Sequence, residues 1–210
     1  MNRIGFAARA STVAVGTALL LGVAGMAMAE ENHGDKDVDV SVGITALPVG
    51  EALAMTVSGT TPGTTTLGEE GSTATMRQFN STLPTVTVTD TRDPGDIPAG
   101  AGWYVLGTAT DFTGDAGQPA ISASHLGWAP RILSGGESGQ VVEGERVDTV
   151  MDSAPITSGL VDQELLALAI DSGAIASERQ WTVTADLFLR VPVTVAAGDY
   201  TSTLTLSLFE

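Results

Sequence analysis

The sequence predicts an all-β protein: a β-sandwich of short, mainly antiparallel strands with one short helical insertion at about residues 160–172. Three observations carry this expectation. Apolar and polar residues alternate with period two in stretch after stretch, as they do in a strand that buries one face. Turn-forming triplets separate those stretches, among them Asp93-Pro94-Gly95, Pro98-Ala99-Gly100 and Ala197-Gly198-Asp199. Threonine fills many of the polar positions, where a β-branched side chain suits a pleated, half-exposed surface.

In chain order, Val38, Val40, Val42 and Ile44 share one face, against Asp37, Asp39 and Ser41 on the other. Leu53, Met55 and Val57 repeat the pattern after the turn at Pro48-Val49-Gly50. Val86 and Val88 oppose Thr85, Thr87 and Thr89, and Trp103-Tyr104-Val105-Leu106 opens a further strand. Trp181, Val183, Ala185, Leu187 and Leu189 alternate with Thr182, Thr184, Asp186 and Arg190. Leu204, Leu206 and Leu208 face away from Thr203, Thr205 and Ser207. One stretch reads helical: Val161, Leu165 and Leu168 keep helical spacing, Leu166 and Ile170 lie beside them, Ser158 suits the start and Gly173 the end. A helix that short needs a sheet to pack on. Residues 60–75 and 134–146, rich in Gly, Thr, Ser and Glu, read as long loops with little to bury.

The first 29 residues have the parts of a secretory signal peptide. Arg3 and Arg9 give a positive start, an apolar stretch follows, and Ala27-Met28-Ala29 supplies the small residues of a cleavage site. The apolar stretch is broken by glycines and short of the roughly 20 residues a membrane span needs. Residues 30–36 read as a solvated lead-in and residues 37–210 as one domain, so no membrane span is expected after cleavage. Removing 29 residues and two arginines from 210 residues at −16 leaves a mature chain of 181 residues at −18. Glu210 follows an apolar strand with no LPxTG-type signal or hydrophobic tail, so covalent wall anchoring is not expected.

Charge and composition exclude several functions. Twenty-five acids against 9 bases repel nucleic-acid phosphate. The absence of cysteine removes thiolate zinc sites, thiol catalysis and disulfides. Of the two histidines, His33 lies in the lead-in, and His125 has no G-x-S-x-G elbow near it. No cofactor is expected. The one candidate ion is Ca²⁺, which suits oxygen-rich loops such as those carrying Asp93, Asp96, Asp111 and Asp115. Against it, Asp is a turn former, Arg92 can pair with either neighbouring acid, and the spacing is not that of an EF-hand.

Two segments resemble a known family. The run VTVTDTR followed by Gly102-Trp103, with the C-terminal AGDYTSTLTLSL, is similar to the WxL domain of Gram-positive surface proteins over roughly residues 83–210. Eight arginines to one lysine, with abundant Ala, Gly and Val, would suit a GC-rich actinobacterial member. The resemblance implies a secreted protein held non-covalently at the cell wall, through peptidoglycan, partner surface proteins or both. It implies a β module with a binding role and no catalysis.

Carried onto the matching segments, the candidate contacts are Asp90, Arg92, Trp103, Tyr104 and Tyr200. Neither Trp-x-Leu motif of the family is intact. The first reads Trp103-Tyr104-Val105, and in the second, Leu206-Ser207-Leu208, leucine replaces tryptophan. Alternation puts Leu206 in the core. Trp103 and Tyr104 must point to opposite faces, so only the exposed one can serve a given surface; Trp128 and Trp181 are further aromatic candidates. Two alternatives stand beside this reading: a small extracellular enzyme using carboxylates such as Asp90 and Asp111 on wall polysaccharide, and a purely structural subunit of a surface complex.

Overall fold

The alternating segments pair around one long central strand. A computed structural model describes residues 52–58, 65–153 and 158–210; the leader, the lead-in and the strand expected at residues 38–44 lie outside the described residues. Among these are β1 (Leu53–Val57), β2 (Gly68–Glu69), β3 (Met76–Thr82), β4 (Val86–Asp90), β5 (Trp103–Ala109) and β6 (Thr113–Gly114). Then follow β7 (Leu126–Ser134), β8 (Val141–Glu143), β9 (Glu164–Ala169), β10 (Gln180–Pro192), β11 (Tyr200–Thr201) and β12 (Leu204–Phe209). The ladders are antiparallel, and the fold is an all-β sandwich.

The first sheet has the order β1-β4-β10-β3-β2, with β7 on the other edge of β10. β4 pairs the start of β10 and β3 its end. Between them Leu83, Pro84 and Thr85 stand opposite only Thr184 and Ala185, a bulge that lodges a proline with no N–H to give the ladder. The Leu83 amide still donates to the Ala185 carbonyl at 2.8 Å. The second sheet runs β12-β5-β9-β8.

The structure departs from the sequence expectation in two segments. Residues 164–169 form a strand where a helix was expected. Leu and Ala favour a helix locally, but an unbroken apolar run does not distinguish helix from buried strand. Pairing on both edges, with β5 and β8, decides it. A bulge leaves Leu166 as the extra residue, and it is fully buried. Likewise residues 134–146 are not all loop, because β8 closes the second sheet and Val141 enters the core.

Three tryptophans fill the space between the sheets: Trp103, Trp128 and Trp181, each with no exposed surface. The rings of Trp103 and Trp181 meet at 5.4 Å, tilted by 46°. Trp181 donates its indole N–H to Glu178 at 2.7 Å, while those of Trp103 and Trp128 find no acceptor among the described residues. Leu206 packs on this core with Leu204 and Leu208, as alternation required. Trp128 fits only because β5 carries Gly107 opposite it. A Cβ there would stand 2.6 Å from one indole carbon and 2.9 Å from another. Gly107→Ala should therefore destabilise the fold by about 1–3 kcal/mol through overpacking, read as a lower urea midpoint at unchanged m-value.

Candidate functional site

Alternation along β5 turns Trp103 inward and Tyr104 outward. Trp103 is wholly buried, so it touches no ligand, and the same holds for Trp128 and Trp181. Tyr104 is 39% exposed on the outer face of the second sheet, and its ring stacks on Phe209 at 5.2 Å and 18°. The register extends this pair across all four strands. Phe209 stands opposite Tyr104, Tyr104 opposite Leu168, and Leu168 opposite Val142. The next row sets Ser207 beside Leu106 and Leu165. The first row is apolar from edge to edge, and the charges at the strand ends of this sheet are acids: Glu143, Asp162, Glu164, Asp171 and Glu210.

Asp90 and Arg92 do not join this face as contacts; they clamp the two sheets together. The Asp90 carboxylate, 2% exposed as a residue, accepts from the Arg92 amide at 3.1 Å, its Nε at 2.9 Å and its Nη2 at 2.6 Å. The guanidinium also bonds Glu210 just past β12. These bonds, Asp90 first, raise the Arg92 pKa further above its ordinary value against the cost of burial. Tyr200 lies elsewhere, half-buried beside a separate cleft, with its hydroxyl donating to the Ala196 carbonyl at 2.9 Å.

The acids considered for Ca²⁺ are dispersed among turns. Asp93 accepts from the Gly95 amide, Asp111 from the Ala123 amide and Asp115 from the Gln118 side chain, while Asp96 closes a short 3₁₀ turn. Among the described residues no three His, Cys, Asp or Glu side chains converge as ligands. The His125 Nδ1–H donates to the Arg190 carbonyl at 2.6 Å, which fixes the ring against β10.

No family model, curated protein or solved structure matches this chain. Phe209, Leu168 and Val142 escaped the sequence reading, because a row that crosses strands exists only once the register is known.

A second cluster, on the outer face of the first sheet, was equally invisible in sequence. Arg146 and Arg190 place their guanidinium carbons 4.2 Å and 4.7 Å from the centre of the Phe188 ring. Arg190 also bonds Asp152, and Arg146 bonds Asp148 at 2.7 Å. Burial pushes the Asp152 carboxyl up, but the Thr149 hydroxyl and amide and the Arg190 guanidinium outweigh it, leaving the pKa below its ordinary value. Glu69 is held down to about 2 by hydrogen bonds from Arg77 and Ser72.

A depressed carboxyl pKa adds stability above the unfolded value, and that stability disappears as pH falls through the folded one. Burial raises Glu164, whose contribution has the opposite sign, so mild acidification favours the fold there. The melting temperature should hold or rise slightly down to about pH 5, then fall between about pH 4.5 and 2. In Arg190→Gln that fall should be shallower. A wild-type melting temperature level down to pH 2 would contradict this account.

Proposed function

We propose that this is an exported surface-assembly protein, WxL-like, that docks a partner protein on the outer face of its second sheet. The registered row Phe209–Tyr104–Leu168–Val142 carries the reading. An apolar aromatic face crossing a whole sheet is the kind of patch that marks a protein interaction site. Export and a place at the cell wall rest on the signal-peptide pattern of residues 1–29 and the resemblance to the WxL domain.

Ring geometry favours a protein partner over a glycan. Tyr104 and Phe209 each give one face to the other, which leaves a poorer platform for a flat sugar than a ring lying open on the surface. The acids at the strand ends favour a partner whose apolar patch has a basic rim. They also oppose long-range attraction to anionic wall polymers.

The test is co-sedimentation with two wall preparations, one retaining its surface proteins and one stripped of them. The reading expects retention only on the first, and at least about a tenfold loss for Tyr104→Ala/Leu168→Lys. Equal retention on stripped walls, indifferent to that variant, would mean that wall polymer is the ligand and that another surface binds it.

A further inference from the structure

The inner face of β10 beyond its midpoint looks into a cleft of about 640 Å³, a size typical of small-molecule sites. Leu187, Leu189 and Val191 form one wall, with Phe79, Phe112 and Ile121 closing around them. Such a floor offers hydrocarbon contact and no hydrogen bonds. The central strand is paired by β3 as far as Pro192 and by β7 as far as Leu189, and the Arg190 carbonyl accepts from His125, so its main chain has little left to give. At the mouth, the Ala196 carbonyl accepts from Tyr200 at 2.9 Å and the Ala197 carbonyl from Gln118 at 3.2 Å. An extended peptide laid on this floor would find little main-chain pairing in β10, whereas an alkyl chain has no such groups to satisfy.

Charge at the mouth selects the head group. Arg77 lines it, but Glu69 takes that guanidinium through two bonds, at 2.9 Å and 2.7 Å, and the group lies over the Phe79 ring at 5.0 Å. Asp199 also lines the mouth, exposed, and its carboxylate has no hydrogen bond or ion pair among the described residues. The uncompensated charge is therefore negative. The field of a chain at −16 acts in the same direction.

We propose that this cleft binds a single-chain cationic amphiphile, its alkyl or acyl chain on the β10 floor and its ammonium or guanidinium head at Asp199. The site is separate from the docking face and stands or falls without it.

The test is calorimetric titration of the purified protein with dodecylammonium and dodecanoate below their micelle concentrations and with dodecanol below its solubility limit. One saturable site is expected, with the ammonium bound about tenfold more tightly than the carboxylate at low salt and the alcohol between them. Asp199→Asn should bring the two charged ligands within about twofold of each other and leave the alcohol unchanged. Ala197→Trp, placing an indole at the mouth, should weaken all three. Both positions are exposed, so both variants should keep the wild-type melting temperature. Absence of a saturable site, indifference to head-group charge, or affinities untouched by Ala197→Trp would each overturn the proposal. Displacement of dodecylammonium at lower concentration by a short apolar peptide ending in lysine would overturn the choice of an alkyl occupant.

Discussion

Asp90→Ala should remove about 3–5 kcal/mol of folding stability, because it strands a largely buried guanidinium. Asp90 supplies three of the hydrogen bonds that Arg92 makes, and both side chains are mostly withdrawn from water, with 1% and 13% of their surface exposed. After the substitution Glu210 is the one acidic partner left among the described residues, and its side chain is 40% exposed, too wet to compensate. The clamp joins the end of β4 in the first sheet to the end of β12 in the second, so its loss loosens the sandwich as well as one pair. Whole domains are stable by only about 5–15 kcal/mol, and a substantial unfolded population is expected at modest urea. Urea unfolding followed by tryptophan fluorescence measures the effect directly, since the three tryptophans are core residues. Glu210→Gln is the control and should cost under about 1 kcal/mol. A loss below about 1 kcal/mol for Asp90→Ala would mean that Arg92 finds another partner.

How far the sequence carried depended on whether a property was local. Alternation with period two placed β1, β4, β5, β10 and β12, and it assigned Leu206 to the core. It failed at β9, where Leu165 to Ala169 is apolar without interruption and the deciding fact, pairing on both edges, lies in distant strands. The same limit hid the face around Tyr104. Phe209 is out of phase with Leu204, Leu206 and Leu208, so alternation alone turned it outward. Only the register brings it beside Tyr104, a residue more than a hundred positions earlier. Asp90 and Arg92 were legible as neighbours able to pair, but nothing local in VTVTDTR says that Asp90 is buried. Arg146, Phe188 and Arg190 converge from separate segments, and no local pattern announces them.

Trp103→Ala should cost about 3–5 kcal/mol, the toll of truncating a fully buried indole. The site cannot collapse to fill the gap. Trp103 packs against the ring of Trp181, and its partner across the ladder is the small Ala169. Just before it, at Gly102, a Cβ would stand 2.2 Å from the Ala169 carbonyl oxygen, so the main chain has no freedom to close in. Trp103→Phe should cost far less, about 1 kcal/mol, because it also removes an indole N–H that has no acceptor among the described residues and whose burial is itself unfavourable. Tyr104→Ala, one residue away on the opposite face, should cost about 1 kcal/mol, mostly the stack with Phe209. Stability and docking therefore separate between adjacent residues. Loss of binding in Trp103→Ala reports unfolding, and loss of binding in Tyr104→Ala reports the surface. Measuring the unfolding free energy of both variants beside their retention on protein-bearing walls tests that division. It would be wrong if Trp103→Ala kept wild-type stability while losing the partner, since a side chain in the core has no route to one.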